Sequence, residues 1–314
     1  MNYLKDYREG EKFVGTYLCK QKQILKTKAG KTYYSLTLQD KTGTADGKIW
    51  ELNNGIANFE PMDYIHCEGM VTSFQGNLQM NISRVRISDE GEYDPADYVP
   101  CTNKDVGEMF SRILIYVASV QNKYLRKILE MYFVENKEFV DAFKKHSAAK
   151  SVHHGFMGGL LEHTLSVTDM CQYFAEHYPM IHRDLLITAA LFHDMGKIQE
   201  ISDFPMNDYT DDGQLLGHIY IGARCMENAA AQIPNFPPKL KNELVHCILA
   251  HHGKMEFGSP KVPAIMEAMA LHMADNADAK LQTLTEVFTQ AGDNMGWLGF
   301  NRMFESNLRK TSEE

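Results

Sequence analysis

The spacing of apolar and polar positions changes once along the chain. Between residues 12 and 87, apolar side chains recur at every second position in short runs divided by turn residues. Phe13–Cys19 is the first run, and Lys31–Asp40 alternates most regularly. Lys41-Thr42-Gly43 turns the chain into Thr44–Trp50, and Phe74-Gln75-Gly76-Asn77 divides Asp63–Val71 from Leu78–Ile87. Period-two alternation between turn signals predicts strands with one buried face. Five short strands, with a helical insert expected at Asn53–Asn58 between the third and fourth, fit a small Greek-key barrel of the OB type.

From Thr102 onward the period is helical. Thr102 with Asp105 three residues later reads as a variant capping box. Phe110, Ile113, Leu114, Val117 and Val120 form the stripe of one helix, and Leu125, Ile128, Leu129, Tyr132 and Phe133 that of the next. No strand alternation returns before about Gln290, and the tail from Met295 shows no readable role. Ser88–Cys101 is acidic, Pro-bearing and aperiodic, which suits a connection. The expected organisation is multidomain α and β: an OB-type barrel at 1–90, a linker at 91–102 and an all-α bundle at 103–314.

Composition narrows the class. With 44% hydrophobic and 23% charged residues the chain has ample material for a core. The start, Met1-Asn2-Tyr3-Leu4-Lys5-Asp6, lacks a signal-peptide core, and no apolar run approaches a membrane span, so a cytoplasmic location is expected. Six cysteines without a C-x-x-C pair read as reduced thiols. Residues 1–90 carry 12 Lys/Arg against 11 Asp/Glu, whereas the rest carry 20 against 30. That balance argues against a generic basic nucleic-acid binder and is compatible with a helical half that recruits cations.

The chemistry centres on Leu191-Phe192-His193-Asp194-Met195-Gly196-Lys197, a His-Asp pair closing an apolar helix. Burying both groups is costly unless something binds them, and imidazole with carboxylate suits a divalent metal. Four further helical segments place His or Asp toward the core: Gly158-Gly159-Leu160-Leu161-Glu162-His163-Thr164, Leu216-Gly217-His218-Ile219, Leu244 to Gly253 with His251-His252, and Leu271-His272-Met273-Ala274-Asp275. Such ligands can converge in a bundle core to build a two-metal site. Adjacent His251 and His252 point about 100° apart on a regular helix, so both can ligate only if the helix end unwinds. His246 and His272 read as supporting or core groups. His153 and His154 precede the first ligand helix, where they could line a substrate path. On the barrel, Tyr33, Tyr34, Trp50 and Phe74 with Lys31, Lys48, Arg84 and Arg86 are the candidates for a single-strand-binding face, by aromatic stacking plus phosphate contact.

The order His163 … His193-Asp194 … His218 … His251-His252 … Asp275, with G-G-L-L-E-H-T and H-D-M-G-K around it, resembles the HD-domain metallophosphohydrolase superfamily over about residues 150–290. An OB-like domain followed by an HD domain resembles the YhaM-type 3′→5′ exoribonucleases over nearly the whole chain. The resemblance implies that His163, His193, Asp194 and Asp275 match the four common metal ligands. His218, His251 and His252 match the extra histidines of two-metal members, with Asp194 bridging and catalytic. Lys197 is implied as a catalytic cation facing phosphate.

Two divalent ions are expected, Mn²⁺ first, with Fe, Mg, Co or Zn as alternatives. The expected activity is 3′→5′ hydrolysis of single-stranded RNA, and of ssDNA as a further substrate, by metal-activated water attack. A homo-oligomer is compatible, and no membrane partner is expected. Two alternatives stay open: an HD-type nucleotide or cyclic-dinucleotide phosphohydrolase, and a non-catalytic single-strand-binding or scaffold protein. The G-Y-P signature of one cyclic-dinucleotide group is absent after His251-His252.

Overall fold

A computed structural model describes residues 2–74, 76–150 and 154–312. The chain divides into two compact units, one of residues 1–101 with 204–206 and the other of residues 102–203 with 207–314.

The first unit is a closed barrel of β1 (Lys12–Lys26), β2 (Thr32–Asp40), β3 (Gly43–Ile49), β4 (Tyr64–Phe74) and β5 (Asn77–Ile87). Its strand order is β1-β2-β3-β5-β4, with β4 returning to β1. Only the β3–β5 pairing is parallel, which gives the OB topology. Alternation works as the pattern dictates: Leu36 and Leu38 of β2 point into a core with Phe13, Tyr17, Ile49, Ile65 and Val85. Residues 53–58 form no helix. They make a turn and one bridge, Ile56 to Val85, because Asn53 Oδ1 accepts from Gly55 N and closes the turn locally.

The segment expected as a linker belongs to the barrel unit. Tyr93 stacks on Tyr64 at 4.0 Å, Tyr98 and Val99 are buried, and Gln39 Nε2 donates to Tyr98 O at 2.9 Å. Aromatic anchors without periodicity hold it there.

The second unit is helical: α1 (Val106–Ser119), α2 (Lys123–Phe133), α3 (Lys137–Lys145), α4 (Gly159–His177), α5 (Arg183–Phe192), α6 (Lys197–Glu200), α7 (Asp211–Gln232), α8 (Pro238–Ala250) and α9 (Met266–Gln290). Asp105, and not Thr102, caps α1, its carboxylate accepting from Glu108 N at 2.7 Å. Residues 185–192 of α5 are all buried, as befits a helix enclosed on every side by neighbours. α4, α8 and α9 pack against it, so groups at its C-terminal end face a dry interior. A two-residue pairing of β6 (Phe300–Asn301) with β7 (Ser306–Asn307) ends the chain. Among the described residues no helix is long and apolar enough to cross a membrane.

Candidate metal centre

His193 follows the last residue of α5, and His251 follows the last residue of α8. Both rings fold back on an orphan carbonyl of their own helix end: His193 Nδ1 lies 2.7 Å from Ala190 O, and His251 Nδ1 lies 2.6 Å from Ile248 O. A carbonyl can only accept, so Nδ1 carries the proton in each ring and Nε2 keeps its lone pair. His252 is set the same way by Phe257 O at 2.8 Å. The helix stops at Ala250 and Gly253 takes φ +78°, so the two adjacent histidines leave the 100° spacing of a regular helix. Carboxylates do this work for the other two rings. His163 Nδ1 sits 2.6 Å from Asp278 Oδ2, and His218 Nδ1 sits 2.9 Å from Glu200 Oε1.

Four Nε2 atoms, of His163, His193, His218 and His251, gather around Asp194, whose side chain is only 2% exposed. Asp194 Oδ2 lies 3.3 Å from His163 Nε2 and 3.5 Å from His193 Nε2, with Asp275 Oδ1 3.3 Å from His163 on the far side. The other oxygen, Oδ1, lies 3.5 Å from His218 Nε2 and 3.6 Å from His251 Nε2. Besides His154-His163-Asp278, whose members hydrogen-bond one another, potential ligand atoms form the groups His163-His193-Asp275 and His218-His251-His252, each within 4.8 Å internally. Asp194 stands between them with one oxygen toward each.

Both Asp194 oxygens, His218 Nε2 and His251 Nε2 are buried without an aligned hydrogen bond. Buried acceptors without a partner are expensive, and Asp194 Oδ1, His218 Nε2 and His251 Nε2, aimed at one place, fit a cation in a set of nitrogen and oxygen donors.

The electrostatics agree with that donor set. Burial pulls His163 down, but Asp194, Asp275 and Asp278 together outweigh it and hold it well above the usual histidine range. Burial pushes His193 and His252 down to about 4. Burial alone would raise Asp194, but Lys197 and the histidines 193, 163 and 251 hold its carboxyl well below the usual range. Lys197 Nζ lies 2.7 Å from Asp194 Oδ2 and is largely buried. Burial lowers this ammonium's pKa, but Asp194 more than offsets it. Lys197 thus faces Asp194 in the structure.

The HD domain family model matches residues 160–280, the span that carries every one of these ligands. The 3′-5′ exoribonuclease YhaM of Geobacillus sp. (strain WCH70) is 32% identical over 81% of this chain and 78% of that protein. The chain belongs to the YhaM family of 3′-5′ exoribonucleases. The Bacillus subtilis (strain 168) YhaM is 32% identical over 81% of both chains, and the Shouchella clausii (strain KSM-K16) YhaM is 32% identical over 90% of this chain and 88% of its own. The second OB-fold domain of replication protein A from Methanococcus maripaludis aligns with 29% of this chain and 98% of its own at 20% identity and a TM-score of 0.24.

Two carboxylates of this YhaM-family centre lie outside the sequence reading. Glu200 is buried against His218. Asp278 follows Asp275 by one helical turn, and that i,i+3 spacing was the available signal. Asp278 also receives His154 Nε2 at 3.0 Å and the Ser166 hydroxyl. His154 is therefore buried support for Asp278 and does not line an open path. His153 lies outside the described residues. His272 Nδ1 donates to His251 O at 2.9 Å, and His246 Nε2 accepts from Ala264 N at 3.0 Å, both as supporting groups.

On the barrel, Tyr33 and Trp50 stack at 4.6 Å on the outer face, and Trp50 Nε1 donates to Asn81 Oδ1. Phe74 is 62% exposed at the end of β4. Tyr34 has the opposite parity and packs on the barrel core with Phe59, so it leaves the proposed face. The four basic side chains are each paired with an acid: Lys31 with Glu51, Lys48 with Asp46, Arg84 with Glu68 and Arg86 with Glu92. These acids neutralise the four basic side chains locally.

Proposed function

We propose that this chain is a divalent-metal-dependent 3′→5′ exonuclease of single-stranded RNA, with single-stranded DNA as a further substrate. The observation that carries the reading is Asp194, a buried carboxylate with each oxygen facing a separate group of imidazole nitrogens. His163, His193 and Asp275 would hold one cation, His218, His251 and His252 a second, and Asp194 would be shared. Manganese is the first choice for this mixed donor set. Such ions, when bound, polarise a phosphoryl oxygen and make a water nucleophilic at neutral pH.

The chain's own residues contribute the rest. The carbonyls of Ala190, Ile248 and Phe257 fix imidazole tautomers, so the ligand set needs no rearrangement before reaction. Lys197 balances Asp194 and supplies a fixed positive charge beside the position where phosphoryl charge grows. The RNA substrate and the polarity are taken from the relatives' shared activity. The stacked Tyr33–Trp50 pair supports a single strand laid on the barrel's outer face, where bases stack regardless of identity.

The test is 5′-end-labelled single-stranded RNA and DNA incubated with the metal-free protein, with added Mn²⁺ and with EDTA, alongside Asp194→Asn. Stepwise shortening from the 3′ end that needs Mn²⁺ and Asp194 is expected. Intact strands together with hydrolysis of cyclic dinucleotides or mononucleotides would overturn the proposal.

A further inference from the structure

The hold on His218 sits where the backbone of α7 breaks. Gly217 adopts φ +72°, ψ 153°, so the helix is interrupted immediately before His218. Past that break the His218 N–H has lost the carbonyl four residues back that a continuous helix would offer. It donates instead to Glu200 Oε1 at 2.9 Å, and the same oxygen lies 2.9 Å from His218 Nδ1. An ionised carboxylate only accepts, so the ring proton is on Nδ1. Nε2 is left as the buried lone pair 3.5 Å from Asp194 Oδ1.

Glu200 is itself fixed in place. Its carbonyl accepts from Thr210 N at 2.9 Å, and Thr210 Oγ1 donates to Gln199 O at 2.6 Å while accepting from Gly213 N to cap α7. Gly196 lets this segment approach: a Cβ there would stand 2.1 Å from His218 O. His251 and His252 are oriented by main-chain carbonyls that no side-chain substitution removes. In the His218-His251-His252 group, only His218 is oriented by a side chain.

We propose that Glu200 is a positioning residue that sets the ligating tautomer of His218, so that cation binding in the His218-His251-His252 half depends on it while the other half does not. The proposal rests on reading these histidines as metal ligands.

The test uses the full chain and reads the tautomer directly. Metal-free protein labelled with ¹⁵N-histidine is examined by long-range ¹H–¹⁵N NMR as wild type, Glu200→Ala and Glu200→Gln. Mn²⁺ and Co²⁺ stoichiometry is then followed by elemental mass spectrometry. Wild-type His218 is expected as the Nδ1–H form. Glu200→Gln keeps an acceptor oxygen and should preserve that form. Glu200→Ala should shift His218 toward Nε2–H and weaken the second cation by about 10–100-fold, leaving the first unchanged.

Wild-type His218 found as Nε2–H overturns the proposal without any variant. Equal weakening of both cations in Glu200→Ala also overturns it, because that is the signature of a general structural role. A tautomer shift with two cations still bound at wild-type affinity overturns it through its premise, the ligand role of His218, and leaves the hydrogen bonding intact.

Discussion

Lys197→Met separates charge balance from packing at the centre of the site. The substitution keeps an unbranched chain of similar length and deletes the ammonium 2.7 Å from Asp194 Oδ2. Removing one partner of a buried ion pair costs about 3–5 kcal/mol, because the remaining charge stays desolvated. Protonated His163, 3.3 Å from the same oxygen, keeps part of the compensation, so the lower end, about 3 kcal/mol, applies to the metal-free protein. For a helical unit of this size each kcal/mol moves Tm by about 2–4 °C, so a drop of about 6–12 °C is expected in EDTA. The assay is thermal unfolding followed by ellipticity at 222 nm, in EDTA and in saturating Mn²⁺. Cations should neutralise Asp194 in place of Lys197, so the deficit should shrink on loading, while kcat on RNA falls by about 10²–10³ for want of the fixed positive charge. An equal Tm deficit with and without Mn²⁺ would refute the reasoning and make Lys197 a packing residue.

Two further expectations follow from the same geometry. Asp194 and its neighbouring carboxylates raise His163 and His251 above the usual histidine range despite burial, so a cation competes with a proton for Nε2. Apparent Mn²⁺ affinity should rise with pH from about 6.5 and level off above the raised values, with calorimetry in buffers of different ionisation enthalpy showing proton release; uptake without proton release counts against it. On the barrel, Trp50→Ala in the full chain should raise KM for long single-stranded RNA by about 5- to 150-fold, the equivalent of 1–3 kcal/mol of base stacking, and leave a dinucleotide substrate unaffected. An unchanged KM for long RNA would remove this face from substrate binding.

The candidate ligands were legible because each is a His or Asp set in an apolar stripe, where a polar group stands out. His193 and Asp194 follow the buried run 185–192, and Asp275 follows buried Leu271 and Ala274. Parity on the barrel was also legible in part. Leu36 and Leu38 fix the inner face of β2, and Tyr34 shares their parity while Tyr33 does not. The acids beside Lys31, Arg84 and Arg86 were not legible, since Glu51, Glu68 and Glu92 reach them from other strands or turns. The segment at 91–101 read as a connection because its anchors, Tyr93 and Tyr98, follow no period.

Glu200 escaped for a physical reason that also explains the motif around it. A carboxylate in a four-residue helix ordinarily faces water, and nothing in its neighbours announces a partner eighteen positions away. Yet residues 193–200 have one constraint in common, which is to bring two helix ends together around Asp194. His193 and Asp194 supply ligand atoms at the end of α5, and Lys197 returns one turn later to Asp194. Gly196 must lack a side chain because His218 O occupies the space a Cβ would take. Once His218 is that close, its N–H and Nδ1–H both need an acceptor, and Glu200, one turn beyond Gly196, is where an acceptor can stand. The spacing H-D-M-G-K-I-Q-E is thus one solution to a packing problem, in which the glycine creates the approach and the glutamate satisfies the donors that the approach exposes.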